Sequence, residues 1–243
     1  MDLDEFYSKE SIKLWEKVLG PKMHYHFGIP NTDNDPFDQA ILNFFPYIKQ
    51  NSKVLDCGCG WGGPGKLIQS QLGCDVTGVT ISKTQSEYIK SFKVIHSDLH
   101  EFIPQDHYDV AMFIESYTHL NDTYRVLNSL SSFVDCILIK DYLCDEYVLL
   151  EEWNMHLRTK QMFIDELEKS GYSVRMFNII ENFWQPGIDF WYSGLMKLNP
   201  MEIRGQLKGL FQLCYKVKFM NYGIPQLRQC EIVATKSDKY NRI

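Results

Sequence analysis

A short apolar segment followed by closely spaced glycines constrains this chain most. Residues 54–63 have the sequence Val-Leu-Asp-Cys-Gly-Cys-Gly-Trp-Gly-Gly, and helix-compatible residues follow from Lys66. Glycines at positions 58 and 60 let the backbone turn sharply and let a ligand lie against the main chain. The pattern therefore predicts a strand, a tight turn and a helix, the geometry of a nucleotide-binding βα unit.

This segment differs from the Gly-x-Gly-x-x-Gly pattern of dinucleotide-binding proteins, because an acid, Asp56, precedes the first glycine. A second βα unit follows at once, with Cys-Asp-Val-Thr-Gly-Val-Thr-Ile-Ser at 74–82 and then Gln85. A generic βα turn with incidental glycines is the alternative interpretation. Two consecutive units favour a ligand site.

Short apolar strands alternate with helices over the middle of the chain. Strands are predicted at 54–57, 75–79, 94–96, 108–114, 136–142, 172–180 and 229–235. Such alternation predicts a mostly parallel sheet with both faces covered by helices. The predicted fold class is α/β, with a Rossmann-like seven-stranded sheet.

Two further segments flank that core. Helices are predicted at 4–20 and from 35 to about 50, where Pro46 kinks or ends the second helix early. Residues 181–228 are dense in aromatic side chains and predict a helical insert over the open end of the sheet. We expect one domain, in which 1–50 form an N-terminal helical cap, 51–180 and 229–243 form the core, and 181–228 cap the substrate.

Charge and composition exclude several classes of protein. The net charge is −6 and no long basic run occurs, which argues against nucleic-acid binding. The chain begins with acidic residues, unlike a secretory signal, and no apolar run approaches the roughly 20 residues of a membrane span. Seven scattered cysteines fit a reducing compartment better than a zinc site. We expect a cytoplasmic monomer or homo-oligomer that binds a small molecule.

The two βα units resemble those of class I S-adenosylmethionine (SAM) methyltransferases, over roughly residues 50–140. Many branches of that family end the second strand in an acid that binds the ribose hydroxyls, whereas this chain has Thr80 and, further on, Gln85. In this it is similar to the branch of cyclopropane-fatty-acid synthases, sterol and tocopherol methyltransferases and prenyl-diphosphate C-methyltransferases. His-Tyr-His-Phe-Gly-Ile at 24–29, Glu115-Ser116 and the aromatic insert resemble the geranyl-diphosphate-type enzymes in particular.

The resemblance implies a site for SAM and its product S-adenosylhomocysteine (SAH). Asp56 would favour the cationic methionine end, and Asp98 would accept from the adenine amino group beside Leu99. The alternatives are a helix-capping acid for Asp56 and a solvated loop acid for Asp98. The implied cofactor-binding residues are Tyr25, Asp56, Gly58, Gly60, Trp61, Thr80, Ile81, Gln85, Asp98, Leu99 and Glu115.

Glu115 is the main catalytic candidate. It ends the apolar run 110–114, and ligands of open α/β sheets lie at the carboxyl ends of strands. A partly buried carboxylate there can have its pKa raised toward that of a useful base. The resemblance implies that Glu115 takes a proton after methyl transfer or stabilises a cation, with Tyr25 and His26 beside it. A first-turn helix acid and a structural histidine are the alternatives.

These residues predict a SAM-dependent methyltransferase of small molecules, most simply one that C-methylates an isoprenoid, prenyl-diphosphate-like or related natural-product substrate. An N- or O-methyltransferase of a small amine or hydroxylated metabolite is the alternative. A non-catalytic SAM-binding partner subunit is a second alternative, which predicts outward-facing aromatics. No metal is expected for methyl transfer, and Mg2+ would serve only to escort a diphosphate substrate.

Overall fold

Strands and helices alternate through the structure, a computed structural model that describes residues 9–220 and 227–237. The strands are β1 (Lys53–Cys57), β2 (Asp75–Thr80), β3 (Lys93–His96), β4 (Tyr108–Ile114), β5 (Val134–Leu143), β6 (Val148–Leu150), β7 (Met155–Leu157), β8 (Tyr172–Ile180) and β9 (Arg228–Lys236). The α-helices are α1 (Lys9–Leu19), α2 (Pro36–Leu42), α3 (Gly63–Leu72), α4 (Lys83–Tyr88), α5 (Thr123–Leu130), α6 (Lys160–Lys169), α7 (Trp184–Leu195) and α8 (Gly205–Met220).

One seven-stranded sheet has the order β3-β2-β1-β4-β5-β9-β8. The pairs from β3 to β5 are parallel, whereas β9 runs antiparallel to both of its neighbours. The predicted fold class and all seven predicted strands are confirmed. The strand order reverses between β1 and β4, so their carboxyl ends border the crevice in which open α/β sheets bind ligands.

The central strands are apolar because both faces of the sheet are covered. Alternate residues of β4 point to opposite faces: Ala111 and Phe113 pack in one buried cluster, Val110 and Met112 in another. Parallel strands buried on both sides are expected to be continuous apolar runs of this kind. The polar residues that end these strands therefore stand out.

A third apolar cluster joins the N-terminal segment to the insert, through buried side chains that include Trp15, Phe27, Phe183 and Trp191. Helices α1 and α7 approach closely, because a β-carbon on Gly194 would lie 2.6 Å from the Val18 carbonyl oxygen. The N-terminal segment and the insert thus pack together over one end of the sheet.

Several element boundaries differ from those predicted. The second helix ends at Leu42 and a short 3-10 turn containing Pro46 follows, as proline predicts. The first helix is described from Lys9 onward, and residues 4–8 of the prediction lie outside the described residues, as does Tyr222 of the aromatic insert. The small antiparallel pair β6–β7 was not predicted.

Over residues 9–220 and 227–237, none of the helices combines the length and the apolar character that a bilayer crossing requires.

Candidate active site

The glycine-rich turn follows β1 directly. The amides of Gly58 and Cys59 both donate to the Val79 carbonyl, at 2.9 and 3.0 Å, which ties the turn to β2. Gly58 and Gly60 have φ of 80° and 51°, in the left-handed region that favours glycine. A β-carbon on Gly58 would lie 2.5 Å from the Ser116 β-carbon, whereas one on Gly60 would meet no atom within 4 Å among the described residues. The absence of a side chain at Gly58 therefore allows the close contact with Ser116, whereas Gly60 faces open space.

Asp56 is buried at the end of β1. Burial raises the pKa of its carboxyl group to about 7, against a hydrogen bond from the Gly65 amide. Within the described part of the chain its Oδ2 atom has no hydrogen-bond partner. A buried carboxylate oxygen without a donor is costly, so this atom favours either a proton or a ligand that donates to it.

Thr80 and Gln85 come together at the end of β2, as the sequence predicts. Both side chains are buried, and the Thr80 hydroxyl donates to Gln85 Oε1 at 2.7 Å. Ser82 caps α4 by accepting from the Gln85 amide at 3.3 Å, which fixes where Gln85 stands. Ile81, between them, is half exposed. Their predicted contacts with ribose stay predictions.

Asp98 follows β3 and is held by a residue that sequence reasoning missed. Its Oδ1 accepts from both the amide and the ring Nδ1 of His100, each at 2.8 Å. Partial burial works to raise the pKa of Asp98, but these hydrogen bonds outweigh it and the pKa lies below its ordinary value. Leu99 packs against the neighbouring core cluster. The carboxylate is therefore ionised and oriented.

Glu115 is the most heavily bonded side chain at this end of the sheet. Its Oε1 accepts from the Phe27 amide at 2.7 Å, the Lys140 ammonium at 2.8 Å and the Gln229 amide group at 2.6 Å. Its Oε2 accepts from the Tyr142 hydroxyl at 2.7 Å. The residue has a φ of 54°, which costs energy for a residue with a β-carbon and is typical of functional sites.

The donors on Glu115 come from β5, from β9 and from the N-terminal loop. The Lys140 side chain is fully buried and also donates to the Phe27 carbonyl at 2.8 Å. Burial and the nearby Glu115 charge raise the pKa of Tyr142 well above its ordinary value, so Tyr142 remains a proton donor. Next to them, burial raises the pKa of Asp141 to about 7.

Sequence reasoning missed Lys140, Tyr142 and Gln229. A signal was present for the first, because Lys140 and Asp141 interrupt the apolar run of β5 at positions that should be buried on both faces. Gln229 carried no such signal. It reaches Glu115 because it pairs with Tyr142 in the antiparallel register of β5 and β9.

Phe27 fills an aromatic box above Glu115. Ring centroids of Trp191, Phe183, Trp184 and Tyr142 lie 4.6, 5.2, 5.3 and 6.3 Å from that of Phe27. The Phe27 side chain is buried. The Phe27 amide donates to Glu115 and the Phe27 carbonyl accepts from Lys140. Phe27 therefore joins the aromatic insert to the polar cluster, by which we mean Glu115 and its hydrogen-bond donors.

Tyr25 and His26, the other catalytic candidates, flank that box. The Tyr25 ring lies 4.8 Å from Trp15 and 5.7 Å from Trp191, centroid to centroid. His26 is buried, and its Nδ1 lies 3.0 Å from the Phe27 carbonyl oxygen. Trp61 of the glycine turn packs 6.3 Å from Trp15. The structure thus brings these predicted residues to one region, and their chemical roles stay predictions.

The aromatic insert has an inward and an outward set. Phe183 and Trp191 are buried, whereas Phe190, Tyr215 and Phe219 are 40%, 45% and 55% exposed. The inward set lines the region of Phe27. The outward set is the feature that a partner-subunit function predicts.

Among residues 9–220 and 227–237, no group of three or more His, Cys, Asp or Glu side chains is placed to hold a metal ion.

Residues 32–177, more than half of the chain, match the methyltransferase domain family. The chain belongs to the methyltransferase domain family. This membership confirms the family resemblance predicted from the two βα units.

Individual relatives are distant. The (S)-tetrahydroprotoberberine N-methyltransferase of Eschscholzia californica is 32% identical over 133 residues, 49% of this chain and 38% of that protein. The cyclopropane-fatty-acyl-phospholipid synthase of Escherichia coli is 29% identical over 125 residues, 49% of this chain and 30% of that protein. The chain thus matches well under half of the length of these relatives.

Among solved structures, a coclaurine N-methyltransferase bound to N-methylheliamine and SAH superimposes with a TM-score of 0.77. It is 17% identical, and the match covers 92% of this chain and 80% of that one. At this identity the likeness concerns the fold, which agrees with the sheet order described above.

Proposed function

We propose that this chain is a SAM-dependent methyltransferase whose acceptor is a small molecule bound at the carboxyl ends of β1, β4 and β5. The observation that carries the proposal is the pairing of two features at one sheet edge. A glycine turn with an unsatisfied buried acid, Asp56, lies next to a polar cluster on Glu115 that is roofed by aromatic rings. Family membership supports the same reaction class.

The residues at the glycine turn fit SAM. Asp56 Oδ2 is buried and lacks a donor among the described residues, and the ammonium of a methionine end is such a donor. The space beside Gly60 accommodates a ligand against the main chain. At the other end, the oriented Asp98 carboxylate suits an amino group of adenine, and Thr80 with Gln85 suits the ribose hydroxyls. SAM supplies a methyl group already activated on a sulfonium, so alignment of the acceptor is the main task of the protein.

For the acceptor, we infer an alkene carbon of an isoprenoid or related natural product. Methylation of an alkene forms the new bond at one carbon and leaves positive charge on its neighbour. A proton must then leave an adjacent carbon to restore a double bond. Such a reaction needs a dry aromatic pocket and an acceptor for that proton.

The arrangement around Glu115 supports this inference at one atom. A carboxylate oxygen has about two lone pairs, and Oε1 already takes three donors. Oε2 takes one donor among the described residues, Tyr142. Oε2 is therefore the position that can accept a proton or face a cation, while the donors on Oε1 fix its orientation.

A second candidate is N- or O-methylation, and the ion pair with Lys140 favours it. The buried ammonium compensates the charge of Glu115, which weakens the carboxylate as a base. A neutral amine needs alignment and no base. The Eschscholzia californica relative and the coclaurine enzyme are both named N-methyltransferases.

The test is turnover of the full chain with SAM and a matched panel of acceptors. Geranyl diphosphate and geraniol represent alkenes, tetrahydroisoquinoline represents amines, and a simple phenol represents hydroxyl acceptors. Products are identified by mass spectrometry, with and without a chelator. A methylated carbon supports the first candidate, and a methylated nitrogen or oxygen supports the second.

Two results would contradict the proposal. SAM binding in calorimetry without turnover on any acceptor class would indicate a non-catalytic partner subunit. Absence of SAM binding would remove the cofactor site itself.

Loss of geraniol methylation in chelator, with recovery on adding Mg2+, would show that the metal does more than escort a diphosphate.

A further inference from the structure

A line of hydrogen-bonding groups runs from the protein surface to the Phe27 peptide. Asp38 Oδ1 lies 3.0 Å from His24 Nε2, and His24 Nδ1 lies 3.1 Å from His26 Nε2. His26 Nδ1 lies 3.0 Å from the Phe27 carbonyl oxygen. Both rings are buried. We call these four residues the histidine line.

Proton counting shows that the histidine line is one proton short when both rings are neutral. Its two ends, the Asp38 carboxylate and the Phe27 carbonyl, can only accept. Three hydrogen bonds therefore require three protons on the four ring nitrogens. Two neutral imidazoles carry two, so one of the three contacts then pairs a lone pair with a lone pair.

One end and the middle of the line bear on the candidate active site. Phe27 donates its amide to Glu115 and accepts from Lys140 at its carbonyl. In the middle of the line, a β-carbon on Gly63 would lie 2.7 Å from His24 Nδ1, so His24 packs directly on the start of α3 after the glycine turn. The line thus touches both the cofactor side and the acceptor side.

Burial and the charges around the two rings decide how many protons the line holds at neutral pH. His24 faces Asp38, Asp35 and Lys22, and burial lowers its pKa in spite of the Asp38 contact. For His26, burial together with His24 and Lys140 lowers the pKa well below its ordinary value. At neutral pH the line therefore holds two protons, and acid supplies the third.

We propose that His24 and His26 are positioning residues that share one exchangeable proton, and that its arrival completes the line and fixes the Phe27 peptide against Glu115 and Lys140. The inference rests on the proposed function only for its effect on methyl transfer. The proton sharing itself concerns the free protein.

The first test is direct observation of the rings. The full chain, labelled with 15N at histidine, is titrated from pH 8 to pH 4 by long-range 1H–15N NMR without SAM. We expect the His24 and His26 signals to change together, with one proton taken up by the pair, as coupled groups do. Rings that titrate separately, or stay neutral until the protein unfolds, would overturn the proposal.

Asp38→Asn provides the decisive variant. An asparagine side chain can donate to His24 Nε2, so the line becomes complete with two neutral rings, both carrying the proton on Nδ1. We expect that tautomer at every pH and no shared titration. Asp35→Asn is the matched control, because Asp35 also contacts Lys22, at 2.9 Å, but contributes no atom to the line. A titration in Asp38→Asn that matches the wild type would contradict the proton count.

Methyl transfer gives the second readout once an acceptor is known. In the pH profile of the wild type, the rate of methyl transfer should change by about 2- to 10-fold, the contribution of one hydrogen bond, over the pH range in which the rings titrate. We call this change the limb. Asp38→Asn should remove that limb and Asp35→Asn should keep it. Equal limbs in both variants would mean that the line does not position Phe27. A failed methyl-transfer assay leaves the NMR test intact, so the two proposals fail separately.

Discussion

The Lys140 ammonium lies 2.8 Å from Glu115 Oε1 with no part of its side chain exposed. A buried cation of this kind is tolerated because a carboxylate accompanies it. Glu115 therefore stabilises the buried Lys140 ammonium, in addition to any chemistry at Oε2. Experiments on Glu115 must separate the two.

Glu115→Gln alone should destabilise the protein, since it leaves the Lys140 ammonium buried without its counter-charge. The expected loss in unfolding free energy is about 3–5 kcal/mol, measured by urea denaturation. In the double variant Glu115→Gln/Lys140→Met most of that stability should return. Turnover of the double variant should still fall by about 10²–10⁴-fold if Glu115 accepts a proton. Normal turnover in a folded double variant would exclude the base.

Asp56 should make the protein without SAM less stable as the pH rises. Its pKa is about 7 in the folded protein and near 3.9 in an unfolded chain. The folded state therefore binds the proton more tightly, and stability is lost between about pH 4 and pH 7. The loss reaches at most about 4 kcal/mol, at 1.36 kcal/mol per pKa unit.

Asp141 changes stability in the same direction, because its pKa is also raised to about 7. The difference between the wild type and Asp56→Asn, followed by urea denaturation from pH 4 to pH 8, therefore isolates Asp56. Parallel curves for the two proteins would show that Asp56 is not a buried acid. With SAM bound, the loss on the alkaline side should shrink, since the ligand supplies a donor.

Gly60→Val should abolish SAM binding while leaving the fold intact. The new side chain would occupy the open space beside the turn and would adopt a φ of 51°, a strain of about 1–3 kcal/mol. Gly205→Val is the matched control, because Gly205 has a φ of 56° and equally open surroundings among the described residues. Calorimetry should detect SAM binding in the control alone. Unchanged affinity in Gly60→Val would place the cofactor elsewhere.

Gly187→Ala should displace Phe27 from its aromatic box, because the new β-carbon would lie 2.5 Å from the Phe27 ring. Overpacking of this kind costs about 1–3 kcal/mol, and turnover should fall with it. In Gly209→Ala the nearest such atom, on Trp153, lies at 3.4 Å, and an alanine within a helix gains about 1 kcal/mol. Gly187 also lies in a helix, so its alanine has the same helical gain less the cost of overpacking, and Gly187→Ala should unfold at a lower temperature than Gly209→Ala.

The sequence was informative wherever a local pattern decides the structure. The apolar runs located all seven strands of the main sheet, and the spacing of glycines around Gly58 and Gly60 located the turn. Glu115 was found because a charge after a buried strand is conspicuous. In each case the signal lies within about ten consecutive residues.

The sequence was silent where distant segments meet. Gln229 and Tyr142 both reach Glu115 because β9 pairs with β5 in one particular register. The sequence of neither strand predicts that register. The His100 contact with Asp98 depends on how one loop folds back after β3. Nor could the sequence single out the Phe27 amide that donates to Glu115, because every residue except proline carries a main-chain donor.

The position of β9 in the sheet has a consequence for synthesis. This strand lies between β5 and β8, yet it is made after both. While the ribosome is still adding residues before 228, β5 has an open hydrogen-bonding edge and β8 has no neighbour on that side. Open edges of this kind invite pairing with other chains, and the nascent protein depends on the arrival of its last described strand to close its own interior.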